Sequence, residues 1–346
     1  MSDAKPQSTQ LVDAGAAPPL LQVHELKVHF PVRHDLIWKR RRGVIRAVDG
    51  VSFQIGEGET LAIVGESGSG KTTTARAIMG LAPITAGGVL LSGTSSAGLS
   101  DAARRPFRRQ VQMIFQDPFS SLNPRLTVGQ IIAEPLHIFG LHSKSDRRLE
   151  AMRLMDVVGL NPRLLNRYPH EFSGGQRQRI GIARALALQP KLLVCDEPVS
   201  ALDVSIQAQI LNLLLDLQQR FGLAYLLIAH DLGVVRHVAR RVAVMYLGRL
   251  VETGPTDAIF GNPQHPYTRC LLSAVPVPDP VIERGRTRVV LTGEIPSPEI
   301  HYPGCPLAER CPWSDGQCVE RAPRLEGQTH RVSCWHVDKV TGQATP

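Results

Sequence analysis

Residues 65–72 read Gly-Glu-Ser-Gly-Ser-Gly-Lys-Thr, so that Gly65, Gly70, Lys71 and Thr72 meet the pattern G-x-x-x-x-G-K-[ST] in full. Glycines at those positions let the chain curl until consecutive N–H groups point inward, which makes a cradle for phosphate oxygens. Lys71 is expected to reach the β- and γ-phosphates, and the Thr72 hydroxyl to hold Mg²⁺. The expected ATP-binding set is Gly65, Glu66, Ser67, Gly68, Ser69, Gly70, Lys71, Thr72 and Thr73. The apolar run Leu61-Ala62-Ile63-Val64 before the loop reads as a buried strand. The stretch from Thr72 to Gly80 reads as a helix whose positive end faces the same phosphates. A glycine-rich turn with a chance lysine would not carry both neighbours.

A second chemical feature lies 124 residues after Thr72, where Leu192-Leu193-Val194-Cys195 ends in Asp196 and Glu197. Asp196 suits the Mg²⁺ shell. Glu197 points elsewhere and suits polarisation of a water that attacks the γ-phosphate. Between the two features, Phe172-Ser173-Gly174-Gly175-Gln176 opens another helix. A serine and two glycines at a helix start form a second anion-binding cap.

The elements that would carry these residues follow from the pattern. Residues 21–30 alternate like a strand, 31–43 read as a basic loop, and short β-type runs surround Asp49-Gly50. Residues 111–116 read as a buried strand ending at Gln116. Helical periodicity covers Val128 to Phe139, Asp146 to Val158 and Gln176 to Leu188, with Gly140 and Gly159 where C-terminal glycines belong. Further buried strands are expected over Lys191–Cys195, Leu223–Ala229 and Val242–Tyr246, with a helix over 203–221. Buried β runs alternating with helices indicate a parallel sheet. From about Gly261 the composition turns to Pro, Gly, Arg and Cys, and a small C-terminal domain is expected there.

Composition bounds the rest. The 346 residues suffice for one large α/β domain with an appendage, and 43% hydrophobic with 20% charged residues is ordinary for a globular chain. The first 20 residues are small and polar, with Pro18 and Pro19, and read as a disordered tail rather than a signal peptide. No apolar run reaches the roughly 20 residues of a membrane span. The net charge of +8 includes the clusters Lys39-Arg40-Arg41-Arg42 and Arg104, Arg105, Arg108, Arg109. These read as solvated surface, since no nucleic-acid-binding signature accompanies them.

Of six cysteines, Cys305, Cys311, Cys318 and Cys334 fall near the C-terminus, spaced x5, x6 and x15. Four thiolates suit a [4Fe–4S] cluster or tetrahedral Zn²⁺, and reduced structural thiols are the third reading. The spacing is neither the C-x2-C pair of zinc ribbons nor a compact ferredoxin run. Cys195 and Cys270 stand apart and read as core thiols.

Taken in order, these motifs resemble those of ABC-type ATPases. Phe172-Ser173-Gly174-Gly175-Gln176 resembles the signature motif, and Gln116 the Q-loop glutamine. Ser200-Ala201-Leu202-Asp203 is similar to the D-loop, His230 to the switch histidine, and Phe30 to the adenine-stacking aromatic. The segments Gln116 to Arg125, Asp196 to Gln209 and Asn262-Pro263-Gln264-His265-Pro266-Tyr267-Thr268 are similar to the oligopeptide and dipeptide importer subfamily, nearest the "F" type of its paired subunits.

The resemblance implies an α/β fold of the P-loop NTPase, ABC type. An N-terminal antiparallel β subdomain, a RecA-like parallel-sheet core and a helical subdomain at about 127–188 would form an ATPase domain over 21–260. A cysteine-rich extension would occupy 261–346. It implies hydrolysis of ATP with Glu197, His230 and Lys71 catalytic, and Mg²⁺ attended by Thr72, Gln116 and Asp196. Ser173, Gly174, Gly175, Gln176 and Asp203 would act on the nucleotide of a second subunit. Implied partners are a sister ATPase, two transmembrane permeases and an extracytoplasmic solute-binding protein, with no nucleic acid. The chain would sit peripherally on the cytoplasmic face of the membrane. Members of the family are understood to carry [4Fe–4S] on the C-terminal cysteines. The rival reading is a soluble ABC-type ATPase working on nucleic acid or ribosomes. Such proteins usually carry two ATPase units or a long coiled coil, whereas one phosphate loop and no sustained heptad run are present here.

Overall fold

The computed structural model describes residues 18–36, 39–96, 99–100, 102–275, 284, 289–294 and 296–342. Most of the expected N-terminal tail lies outside the described residues. The elements in order are β1 (Leu21–Leu36), β2 (Lys39–Ile55), β3 (Thr60–Val64), α1 (Lys71–Ile78), β4 (Ala86–Leu91), β5 (Thr94–Ser95), α2 (Arg105–Gln110) and β6 (Val111–Ile114). Next come α3 (Val128–Ile138), α4 (Lys144–Val157), α5 (Gly174–Leu186), β7 (Leu192–Asp196), α6 (Val204–Phe221), β8 (Ala224–Ala229), α7 (Leu232–Val238) and β9 (Arg241–Tyr246). The chain continues through β10 (Arg249–Pro255), α8 (Thr256–Gly261), α9 (Pro266–Ser273), α10 (Gly316–Glu320), β11 (Arg331–Val332) and α11 (Val337–Gly342).

Two sheets form. The smaller has the order β2-β1-β4-β5 and is antiparallel, and the larger has the order β11-β10-β9-β3-β8-β7-β6. From β9 to β6 the larger sheet is parallel. Its central strands are buried on both faces: every residue of β3, β7 and β8 is buried. Alternate residues therefore go to opposite cores. Leu61, Ile63, Leu192, Val194, Leu226 and Ile228 join α1 and the antiparallel sheet. Ala62, Val64, Leu193, Cys195, Leu227 and Ala229 join the core shared with the helices.

Within 31–43, expected as a basic loop, residues 31–36 instead continue β1 and 39–43 begin β2, with Val32 opposite Gly43 and Asp35 opposite Arg40; 37 and 38 lie outside the described residues. Charge in the sequence reads as a connection, but the backbone ladder of a hairpin closes whatever side chains it carries. The strand expected to end at Gln116 stops at Ile114, and Gln116 follows in a loop. Helices α3, α4 and α5 fall on the expected segments within a few residues. Gly140 and Gly159 take the left-handed φ values of 67° and 71° that end the first two.

At the C-terminal end of the chain, β11 pairs with β10 and extends the larger sheet. Tyr267, Leu291 and Leu307 lie in the same core as the helices. No helix among the described residues is long and apolar enough to cross a membrane.

Candidate active site

Because β3, β6, β7 and β8 run parallel, the residues that follow each of them share one edge of the sheet, where ligands of open α/β folds bind. This edge carries the phosphate loop after β3, Gln116 after β6, Asp196 and Glu197 at the end of β7, and His230 after β8.

The loop's glycines are required by contact as well as by dihedral. Gly65 and Gly70 have φ of +151° and +106°. A Cβ on Gly65 would lie 2.2 Å from the Met245 carbonyl oxygen, and one on Gly70 2.1 Å from that of Ala47. The loop is thus pressed between β9 and β2. Lys71 folds back across it: Nζ donates to the carbonyls of Gly65 at 2.7 Å and Glu66 at 2.8 Å. Burial lowers the Lys71 pKa below the usual lysine range, against the pull of Glu197, Asp196 and Glu66. Glu66, Ser67, Gly68 and Ser69 complete the turn, and Thr73 lies in the first turn of α1.

Thr72 Oγ1 donates to Asp196 Oδ1 at 3.1 Å. Burial raises the Asp196 pKa; the Thr72 hydrogen bond opposes the shift and neighbouring Glu197 adds to it. Gln116 Nε2 donates to Glu197 Oε2 at 2.7 Å, and His230 Nδ1 lies 3.2 Å from the same oxygen. Glu197 itself holds a left-handed φ of 48°, an uncommon state for a residue with a side chain and a mark of local strain. The donor set suits a hard divalent cation: a hydroxyl and a carboxylate oxygen adjoin, and the Gln116 amide oxygen has no partner among the described residues.

Ser173 caps α5, accepting from the Gln176 N–H, while the Gln176 side chain accepts from the Ser173 N–H. Gly174 and Gly175 pack beside Leu202 and Ile206, which flank exposed Asp203 at the start of α6. A Cβ on Gly175 would come within 2.5 Å of Ile206. Among the described residues, no hydrogen bond or ion pair links these groups to Lys71, Asp196, Glu197 or His230. Phe30 sits on β1 opposite Ile45 and packs against the antiparallel-sheet core. Its neighbour His29 is tied to Asp49 at 3.1 Å.

Cys305, Cys311, Cys318 and Cys334 line one small cavity of about 20 Å³ together with His265, Trp313 and His336. Burial pushes the Cys305 thiol up to about 12 and the Cys334 thiol up to about 11, with Cys311 and Cys318 adding to both. A Cβ on Gly304 would lie 2.2 Å from the Cys318 carbonyl oxygen, so the turn entering this module needs glycine. The tightest group of ligand atoms there is Asp315, Cys318 and His336, within 4.8 Å of one another. Cys195 is buried apart, with its thiol pushed up to about 12.

Two residues that touch the phosphate loop were not legible as such. The Glu66 N–H donates to Tyr267 Oη at 2.7 Å, and Arg310 lies 3.9 Å from the Glu66 carboxylate. Tyr267 lies within the segment Asn262–Thr268, whose pattern suggested a subfamily but not a contact.

Comparison with known proteins gives the family. The ABC transporter family matches residues 48–200, and the family described as "Oligopeptide/dipeptide transporter, C-terminal region" matches 251–318. The oligopeptide transport ATP-binding protein OppF of Escherichia coli is 54% identical over 328 residues, covering 93% of this chain and 97% of that protein. The di/tripeptide transport ATP-binding protein DppF of Pseudomonas aeruginosa is 49% identical over 327 residues, covering 93% and 99%. Among solved structures, a dimeric post-hydrolysis ATP-binding cassette bound to ADP and Pi matches with a TM-score of 0.60 at 30% identity, covering 68% of this chain and 98% of that one. The chain belongs to the ABC transporter ATPases, as an ATP-hydrolysing, ATP-binding subunit of the oligopeptide/dipeptide importer family.

Proposed function

We propose that this chain powers uptake of di- and oligopeptides, with Glu197 as the base that orients and deprotonates the attacking water. The observation that carries the reading is the convergence of Gln116 and His230 on Glu197 Oε2, beside a phosphate loop whose lysine is already folded over it. Attack forms a bond from the water oxygen to the γ-phosphorus. The bond from that phosphorus to the bridging oxygen breaks, and the electron pair leaves with ADP. The water's proton passes to Glu197. Lys71 and the loop N–H groups from Gly65 to Thr73 neutralise charge on the β- and γ-phosphates. Thr72, Asp196 and Gln116 would hold Mg²⁺, which when bound neutralises phosphate charge. His230 senses the γ-phosphate and Phe30 stacks on adenine.

Ser173, Gly174, Gly175, Gln176 and Asp203 serve the nucleotide of a second ATPase. Their separation from Lys71 within one chain supports that reading. The second ATPase is a sister subunit in this proposal, with a second copy of this chain as the alternative. The pair works beneath two permeases at the cytoplasmic face, fed by an extracytoplasmic solute-binding protein. Residues 21–260 make the ATPase domain, with its helical part at about 127–188, and 261–346 the extension.

The four C-terminal cysteines hold a [4Fe–4S] cluster in this proposal, with Zn²⁺ as the alternative. Supporting it, all four line one cavity. No three of their sulfurs fall within 4.8 Å of one another, and a single tetrahedral Zn²⁺ with bonds of about 2.3 Å needs sulfurs about 3.8 Å apart. A bound cation would also oppose the burial, and the smaller repulsion between neighbouring cysteines, that raise these thiols.

Affinity capture of the chain from gently solubilised membranes, prepared without air, tests the whole reading. Recovery of two multi-span permeases, a sister ATPase and a solute-binding protein, with iron and sulfide in the captured chain, is the expected result. Ribosomes or nucleic acid without membrane partners would contradict the transport assignment.

A further inference from the structure

The phosphate loop is held from outside as well as by its own glycines. The Glu66 N–H donates to Tyr267 Oη at 2.7 Å, and the Glu66 carbonyl accepts from Lys71 Nζ at 2.8 Å. One loop residue thus joins a tyrosine of the C-terminal segment to the lysine that meets the phosphates. Tyr267 has no freedom to drift, being 0% exposed. Its own N–H donates to His265 Nδ1. The N–H groups of Gln264 and His265 in turn donate to the buried Glu252 carboxylate on β10.

A second strut runs from the cysteine module. Arg310 lies between Cys305 and Cys311 in the sequence and is 9% exposed. Its Nη1 donates to Tyr246 Oη at 3.2 Å and lies 3.9 Å from Glu66 Oε2. The ring of Tyr246 packs on that of Tyr267, with centroids 4.6 Å apart. Glu66 Oε2 and Arg310 Nε are both buried without a hydrogen-bond partner. Arg310 is within ion-pair range of the Glu66 carboxylate, whose side chain keeps partial contact with solvent, and removing Glu66 would take this partner from the buried Arg310.

We propose that Tyr267 and Arg310 are positioning residues for ATP: they brace Glu66 from the C-terminal segment and so hold the peptide that anchors Lys71. The proposal rests on the reading of Lys71 as a phosphate ligand. It makes the C-terminal segment part of the nucleotide site, and gives the cysteine module a direct mechanical link to the phosphate loop. Without Tyr267 Oη, the half-buried Glu66 N–H loses its acceptor and the loop relaxes toward other geometries. ATP must then reorder the loop before binding.

The test is ATP·Mg²⁺ binding to the full chain by calorimetry, with KM and kcat for ATP measured in the assembled transporter. Variants are Tyr267→Phe, which deletes only the hydroxyl and keeps the ring on Tyr246, with Arg310→Met and Arg310→Lys. All are studied well below their unfolding midpoints, which are recorded. Tyr267→Phe and Arg310→Met should raise the Kd and KM for ATP by about three- to tenfold, the scale of one lost buried hydrogen bond, with kcat within about twofold. Arg310→Lys, which keeps the charge, should recover most of the affinity. Variants that bind ATP as the wild type does would overturn the brace alone. So would weakened binding that only tracks a loss of folded protein. A wild-type chain that binds no ATP would remove the nucleotide reading and the brace with it.

Discussion

Gln116 Nε2 lies 2.7 Å from Glu197 Oε2, so a residue in the loop after β6 grips the carboxylate after β7. His230 adds a third loop to the same oxygen at 3.2 Å. Three loops from adjacent parallel strands meet on one carboxylate. A shift of any of them is felt at Glu197.

The Thr72–Asp196 contact of 3.1 Å predicts a metal-specific defect. Thr72→Val is nearly isosteric and removes the hydroxyl. It should raise the Mg²⁺ concentration needed for half-maximal ATP turnover by about tenfold or more, while leaving metal-free ATP binding within about twofold. Titration of Mg²⁺ at fixed ATP reads the effect. An unchanged Mg²⁺ requirement would take Thr72 out of the metal's shell.

Ser173 caps α5 and has no hydrogen bond to this chain's own phosphate loop. Ser173→Arg should therefore leave ATP binding to the isolated chain unchanged. In the assembled transporter it should lower turnover by about tenfold or more, through charge and bulk at the partner's nucleotide. Equal losses in both assays would mean that the cap serves its own chain.

Acid should loosen the C-terminal segment through His265. Burial pushes its pKa down to about 4 from an ordinary 6.5, against the pull of Glu252, and its Nδ1 accepts from the Tyr267 N–H. A depressed folded pKa means that the unfolded chain takes up a proton before the native one does. The stability involved is complete above about pH 6.5 and is lost as pH falls toward about 4, amounting to on the order of 3 kcal/mol. His265→Asn keeps an acceptor for the Tyr267 N–H and should flatten the pH dependence. Denaturant unfolding between pH 7 and 5 measures the slope in both proteins, and equal slopes would assign the loss to other groups.

The parts of the candidate site were legible because they are local. The glycine run, Lys71 and Thr72 form one unbroken stretch, and Asp196-Glu197 ends one apolar strand, so local spacing suggested the chemistry expected of them. Helices α3 to α6 were legible from period and capping residues. The continuation of β1 to Leu36 and the start of β2 at Lys39 were not, because the basic run there resembles a solvated loop while ladder pairing is a property of two strands together. Tyr267 and Arg310 were hidden for the same reason. Their contacts to Glu66 span 201 and 244 residues of chain, and no local pattern encodes a distance of that kind.

The most direct measurement is steady-state ATP turnover of the reconstituted transporter carrying Glu197→Gln in this chain, with its ATP affinity measured alongside. The account predicts affinity within about threefold of wild type and turnover at the site down by about a hundredfold or more, the usual scale for loss of a general base. Turnover near the wild-type rate, with binding intact, would contradict it.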